Sequence, residues 1–418
     1  VTVPGAVAAW ERLLADHGRR GLAAALAPAI RLAAEGFALT PRVAHDWRRH
    51  ADKLAQDANA ARIFLPGGRS PLAGEVHRQP ELAETLRAIA REGRDGFYKG
   101  RVAADIVGYL QAQGGRHHVD DFARHGVDYV EPIATRYRGV DVLELPPNGQ
   151  GITTLLMLNI LAGFDLTRYD PHGPERYHLE AEATRIAYEV RDAFVADPAF
   201  ATAPVEKLLS AGYAAELRAR IDPRRAMPVE AAAAGGYRDT VYIGVVDGER
   251  NACSFINSLF FPFGSGLVSP TTGVVLHCRG ASFRVEPGHP NCVAPGKRPL
   301  HTIIPALALK DGQPWLCFGV MGGGFKPVGQ THVLTNLLDY GMDPQEAIDS
   351  PRCFHQGGVL EAERGVPEAT IAGLAALGHR VVRPDMPFGG GQAIAIDRAN
   401  GTLAAASDPR RDGCALAY

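Results

Sequence analysis

"GGYRDTVYIGVVDGERNACSFINS", residues 235–258, decides how this chain is read. An Ala/Gly stretch gives way at Asp239-Thr240 to two strand-like runs, TVYIGVV and NACSFIN, separated by a turn at Asp247-Gly248. β-Branched residues alternating around an Asp-Gly turn predict a β-hairpin. Two readings of Thr240 stay open at this point. It is a β-branched residue suited to opening a strand, or a latent N-terminus behind a scissile peptide bond. The second reading has definite chemistry. A hydroxyl is a poor nucleophile until a base takes its proton. An N-terminal Thr carries that base itself, because an α-amine of pKa about 7.7–8.0 is partly neutral near pH 7. Before cleavage the same hydroxyl can attack the Asp239 carbonyl, giving an ester that water hydrolyses.

Upstream of this point, residues 1–236 read mainly as helices. AVAAWERLLADHG and LAAALAPAIRLAAEG space their apolar residues helically and each ends on Gly. QPELAETLRAIAREG repeats the pattern, ITTLLMLNILAG reads as a buried helix, and YRGVDVLELPPNGQG as a short strand leaving a turn. ERYHLEAEATRIAYEVRDAFVADP reads as a long amphipathic helix stopped by Pro198, and AAAAGG, residues 231–236, as a linker. Downstream the texture changes to strands: GVVLHC, IIPALAL and PWLCFGVM, then a helix, THVLTNLLDYG, and a closing hairpin, QAIAIDRANGTLAAASD. Helices first and sheet later imply one layered body rather than two independent units.

The bulk numbers exclude several classes. A net charge of −2 over 418 residues gives no electrostatic case for nucleic acid or an anionic membrane. No uncharged apolar run approaches the length of a membrane span, and the first residues lack a signal-peptide pattern. The six cysteines, Cys253, Cys278, Cys292, Cys317, Cys353 and Cys414, form no C-x-x-C pair and are expected to be buried thiols, which leans towards a reducing, cytoplasmic compartment. His117-His118 beside Asp120-Asp121 reads as a solvated helix cap rather than a metal site. No metal or other cofactor is expected.

Ten motifs carry a resemblance. VPGAVAAWERLLADHG, LAPAIRLAAEGF, DGFYKG, YRGVDVLELPPNGQG, VADPAF, DTVYIGVVD, GSGLV, PGKRPLHTIIPAL, GVMGGG and ASDPRRDG follow one another in the order and spacing of the γ-glutamyltranspeptidase family. The D-T-V-Y variant most resembles its less-studied bacterial members, oxamate amidohydrolase among them. The resemblance implies an α+β, four-layer αββα N-terminal-nucleophile hydrolase that cleaves itself between Asp239 and Thr240. Residues 1–239 and 240–418 would become the two subunits of an αβ heterodimer, alone or paired, both contributing to one αββα domain. Thr240 would be the nucleophile and Ser258 the hydroxyl that orients it, unless Ser258 is a solvated strand end. Gly322 and Gly323 would supply oxyanion N–H groups, or form a tight turn after a strand. Phosphate binding is rejected, since GVMGGG is not G-x-G-x-x-G and PGKRP lacks Walker A spacing.

The resemblance also marks departures. In the family an Asp and an Asn grip the substrate α-amino group, whereas Ser282 and Phe260 stand at the matching positions. Arg279 replaces a polar Gln, and His301-Thr302 replaces a Ser-Ser pair. A substrate ammonium would lose its carboxylate and meet a guanidinium. The expected substrate is therefore a small amide that is not γ-glutamyl, with an anionic acyl group facing Arg279, unless Arg279 is a surface cation. The family further carries a segment ahead of VPG, expected to be missing from the sequence as it stands. Two rival readings are a truncated, non-catalytic homologue serving as a scaffold, and a true γ-glutamyl transferase with altered recognition residues.

Overall fold

The computed structural model describes residues 1–228 and 239–418. The Ala/Gly stretch 231–236, read above as a linker, lies outside the described residues. The chain divides into two compact units, Val1–Tyr129 with Leu259–Ala281, and Val130–Ser258 with Ser282–Tyr418.

In the first unit, helices Ala6–His17, Leu22–Glu35, Pro80–Glu92 and Gly100–Ala112 follow the periodicity of the sequence. Their capping is legible: Pro80 opens its helix and Gly93, at φ +63°, closes it with its N–H on the Ile89 carbonyl. Val7, Leu26, Ile89, Phe97, Val102, Ile106, Leu110 and Leu276 form the apolar centre. His118 and Asp121 cap the short helix Val119–Ala123, Asp121 Oδ2 accepting the His118 N–H at 2.8 Å, as a solvated cap requires. GVVLHC is a correction: it forms no named strand. Its bonds stay local, with Ser265 N on the Leu276 carbonyl, Leu276 N on that of Leu267, and Ser269 N on that of Val274. A loop turned back on itself takes the donors that a ladder would need.

The second unit is built on a six-stranded sheet. Its strands and helices, in chain order, are β1 (Ile133–Tyr137), β2 (Val140–Glu144), α1 (Gly151–Leu161), α2 (Pro174–Phe194), β3 (Asp239–Val246), β4 (Ala252–Phe260), β5 (Ala306–Lys310), β6 (Gln313–Met321), α3 (Lys326–Leu338), β7 (Gly390–Asp397) and β8 (Thr402–Ser407). The sheet order is β8-β7-β6-β5-β2-β1, antiparallel throughout, and β3 and β4 form a separate two-stranded sheet. Alternation along β6 sorts the layers. Leu316, Phe318 and Val320 join a core with Leu155, Leu156 and Ile160 of α1, Leu179 and Ile186 of α2, and Val333 and Leu334 of α3. The opposite face, carrying Cys317 and Gly319, receives Tyr242 of β3.

Helix α1 is buried on nearly every side, as its apolar run predicts. Helix α2 corrects the amphipathic reading. Arg176, His178, Glu180 and Glu182 are all buried, and the helix ends at Phe194, ahead of Pro198. The charges are tolerated because they are paired. Arg176 Nη2 lies 2.9 Å from Glu180, Arg185 Nη1 lies 3.0 Å from Glu182, and His332 Nδ1 lies 3.1 Å from Glu180. Burial alone would raise the Glu180 pKa, but the charges of Arg176 and His332 outweigh it and hold it down at about 2. Among the described residues no helix is long and apolar enough to cross a membrane.

Candidate active site

Thr240 is the second residue of β3, and the strand buries one face only. Thr240 and Tyr242 are 5% exposed, whereas Val241, Ile243 and Val245 are 55%, 46% and 51% exposed. Tyr242 fixes how β3 lies on the six-stranded sheet. Its hydroxyl is 2.9 Å from Ser254 Oγ and 3.5 Å from Cys317 Sγ. A Cβ on Gly319 would fall 2.2 Å from the Tyr242 ring, and one on Gly244 would fall 3.6 Å from Cys317 Sγ. The pairs Gly244 with Cys317 and Tyr242 with Gly319 run in opposite directions along the two strands. Continuing in that direction, Thr240 lies towards the end of β6 that precedes Gly322. On the neighbouring strand, Ser258 presents its Oγ 3.0 Å from Thr240 Oγ1. The hairpin thus holds two hydroxyls in hydrogen-bond contact, at the sheet end where β6 gives way to glycines.

Those glycines are conformationally required. Gly322 has φ +122° and Gly323 φ +58°, and a Cβ at Gly322 would meet the Gly389 Cα at 3.1 Å. The Phe325 N–H donates to the Gly322 carbonyl at 3.0 Å, which closes a tight turn after β6. His301 and Thr302 are tied to the PPNGQG segment. His301 N donates to the Asn148 carbonyl at 2.8 Å, and Gln150 N donates to the His301 carbonyl at 2.9 Å. Gln150 is fully buried, and its Nε2 donates to the carbonyls of Gly323 (2.9 Å) and Thr302 (3.3 Å). One amide therefore joins the glycine loop to the His301-Thr302 pair. Sequence alone gives no signal for Gln150 beyond its place in that motif.

The remaining candidates fall into two places. Ser282 belongs to the second unit, where its carbonyl accepts from Asn291 Nδ2 at 2.7 Å. Phe260 and Arg279 belong to the first. Phe260 has φ +83°, a left-handed conformation that a bulky residue rarely adopts. The Arg279 guanidinium lies 4.3 Å from the centre of its ring, and the arginine is only 4% exposed. Arg279 is a buried cation, not a surface one.

The cysteine expectation holds only in part. Cys317 and Cys353 are buried, Cys278 and Cys292 are half-buried, and Cys253 and Cys414 are exposed, all as thiols. Cys253 sits on an exposed position of β4. Metal-ligand chemistry converges at one further group among the described residues, His178, Glu182 and His379. Their atoms are engaged with the protein: His178 Nδ1 with His379 Nε2 at 2.7 Å, His178 Nε2 with the Asp222 carbonyl at 2.9 Å, and Glu182 Oε2 with the Met227 N–H at 2.8 Å.

A hydroxyl pair beside a glycine loop, on a hairpin facing an antiparallel sheet, invites comparison with known proteins. The family model described as Gamma-glutamyltranspeptidase matches residues 1–418. The chain belongs to this family. It is 39% identical to the glutathione hydrolase-like YwrD proenzyme of Bacillus subtilis, over 100% of this chain and 80% of that protein. It is 35% identical to the oxamate amidohydrolase proenzyme of Klebsiella pneumoniae, over 100% of this chain and 81% of that one. Among solved structures, cephalosporin acylase from Bacillus halodurans superposes with a TM-score of 0.93 at 39% identity, covering 100% of this chain and 78% of that one. The protein is therefore an enzyme of the amide-hydrolase and acyltransferase type, with the αββα N-terminal-nucleophile hydrolase fold expected from its motifs.

Proposed function

We propose that the chain is a self-processing amidohydrolase or acyltransferase whose nucleophile is Thr240. The observation that carries this reading is the 3.0 Å contact between Thr240 Oγ1 and Ser258 Oγ, at the start of β3. In processing, Thr240 Oγ attacks the Asp239 carbonyl carbon, the peptide C–N bond breaks, and the acyl group moves to oxygen. Water then hydrolyses the ester and leaves a free α-amine on Thr240. In turnover that amine takes the hydroxyl proton as Oγ attacks the substrate amide. The N–H groups of Gly322 and Gly323 receive the oxyanion, the leaving amine departs with the proton, and water or an acceptor amine resolves the ester. Ser258 orients the attacking oxygen.

The substrate is a small amide with an anionic acyl group, bound by Arg279 with Phe260, Ser282, His301 and Thr302 shaping its site. Two features support this. A buried guanidinium is a strong partner for a carboxylate, and Ser282 and Phe260 offer no carboxylate for the ammonium of a γ-glutamyl group. The relatives' names span oxamate, cephalosporin and glutathione, so the amide chemistry is common ground and the acyl group is what varies. Mass spectrometry of the purified protein is expected to show a C-terminal chain beginning TVYIGVV. A panel of amides with and without an acyl carboxylate is expected to favour oxamate-like members, with a γ-glutamyl anilide turned over slowly. An uncut chain would overturn the mechanism, and a preference for neutral or γ-glutamyl amides would overturn the substrate assignment.

A further inference from the structure

Three glycines in succession, Gly322, Gly323 and Gly324, give the proposed oxyanion loop the widest backbone freedom available to a chain. Yet each of their carbonyls is held. That of Gly322 accepts from Phe325 N at 3.0 Å, that of Gly323 from Gln150 Nε2 at 2.9 Å, and that of Gly324 from the Tyr188 hydroxyl. The two side-chain donors converge on one residue. Arg191 Nη1 donates to Gln150 Oε1 at 3.3 Å, and the same guanidinium lies 4.1 Å over the Tyr188 ring. Asp192 anchors it from the other side, 2.8 Å from Arg191 Nε and 2.7 Å from Nη2. Tyr188 and Arg191 sit one turn apart on α2, so a single helix face presents both.

We infer that Gln150, Tyr188 and Arg191 form a clamp that positions the oxyanion loop for catalysis. This rests on the reading of Gly322 and Gly323 given above and adds what makes them competent. A trans peptide points its N–H opposite its carbonyl. Pinning the carbonyls of Gly322 and Gly323 fixes the peptide planes on both sides of Gly323, and with them its left-handed φ and the direction of its N–H. Tyr188 then fixes the next plane, so the turn cannot unwind towards α3. Donors aimed in advance need no reorganisation as charge develops, which is the source of their effect on rate. The amide of Gln150 suits the task because its two ends differ. Nε2 donates to Gly323 and Thr302, while Oε1 accepts from Arg191. A glutamate of the same shape would set a carboxylate against two carbonyl oxygens. These are positioning residues: they touch the loop and not the reacting atoms.

The test uses whichever amide of the panel wild type turns over fastest, with processed wild type, Gln150→Glu and Tyr188→Phe measured beside the uncut Thr240→Ala chain. Tyr188→Phe keeps the ring under Arg191 and removes only the hydroxyl, so it remains informative where Gln150→Glu fails to fold. Since losing an oxyanion donor outright costs about 10²–10³ in kcat, a misdirected donor is expected to cost about 10-fold in Tyr188→Phe and about 10–100-fold in Gln150→Glu. KM should change less than about threefold and Tm little in Tyr188→Phe, since binding is untouched. The double variant should lose less than the product of the single losses, because both act on one loop. Unchanged kcat in Tyr188→Phe, or a loss that tracks Tm or KM, overturns the clamp while leaving Thr240 chemistry standing. If Thr240→Ala retains turnover, the underlying reading fails and the clamp with it.

Discussion

The two groups of proposed site residues are built differently. Thr240 and Ser258 lie within the paired strands β3 and β4 of the second unit, where period-two alternation and Tyr242 fix their positions, and Gly322 and Gly323 follow the end of β6 in a turn of positive φ. Phe260, in the first unit, closes β4 at a positive φ, and Arg279 opens a 3-10 turn, Arg279–Ser282. Under the proposed function, the attacking hydroxyl tolerates little displacement and is held on paired strands, whereas Arg279, the proposed anchor of the acyl group, sits outside the sheets. Within one fold, the reaction can stay constant while the acyl group changes.

The largest expected effect tests the regular half of this contrast. Thr240→Ala should remain a single uncut chain by mass spectrometry and lose turnover by at least about 10³-fold, because nucleophile and base vanish together. Efficient cleavage at the same bond would place the chemistry elsewhere. Arg279→Gln tests the irregular half. It should raise KM for the anionic amide by about 10–100-fold, equivalent to about 1.5–3 kcal/mol for a charged hydrogen bond, while self-cleavage proceeds normally. If processing fails in that variant, the separation between chemistry and recognition is wrong.

Acid should then distinguish the units by stability. Burial lowers the pKa of His332 and His355 to about 4 and of His379 to about 3, all in the second unit, with nearby positive charges adding to the shift. In the first unit His277 falls to about 4, again chiefly by burial. A folded-state pKa below the unfolded value means that the unfolded chain takes up the proton first. The associated stability is complete above about pH 6.5 and is lost as pH falls towards 4, by up to roughly 3 kcal/mol per imidazole. The second unit should therefore lose amide protection first as pH drops from 6.5 to 4, measured by hydrogen exchange, and His332→Gln should flatten that slope. Glu144 works the other way. It is buried, and burial raises its pKa well above the usual carboxylate range against the smaller opposing effect of the Gln330 amide. Its share of stability is complete below about pH 4.5 and falls as pH rises. Glu144→Gln should accordingly change stability least in acid and most at neutral pH. Simultaneous loss of protection in both units would remove the distinction.

What the sequence disclosed follows the same division. The hairpin at Thr240, the closing hairpin and the buried helix α1 are legible because local alternation or an unbroken apolar run determines them. GVVLHC misleads because β-branched composition cannot reveal that its donors are taken by the loop just before it. The polar interior of α2 is equally hidden, since charges that pair only in three dimensions look like a solvated face. The clamp is the extreme case. Gln150 meets Gly323 across 173 positions and Tyr188 meets Gly324 across 136, so no local pattern announces either. Arg279 was legible as a cation but not as a buried one, because its burial depends on the stacking with Phe260.

The φ of +83° at Phe260 has a consequence for how such an enzyme changes its diet. A left-handed residue with a bulky side chain costs roughly 1–2 kcal/mol, whereas asparagine visits that region readily. The resemblance places an asparagine of the ammonium grip at this position. The main chain here is therefore already shaped for the residue it does not carry. A change from Phe260 to Asn would release backbone strain as it removed the ring beneath Arg279. Because Phe260 is 1% exposed, losing that ring would cost about 3–5 kcal/mol, more than the strain released, so the path between an anion-preferring and an ammonium-preferring pocket would begin uphill.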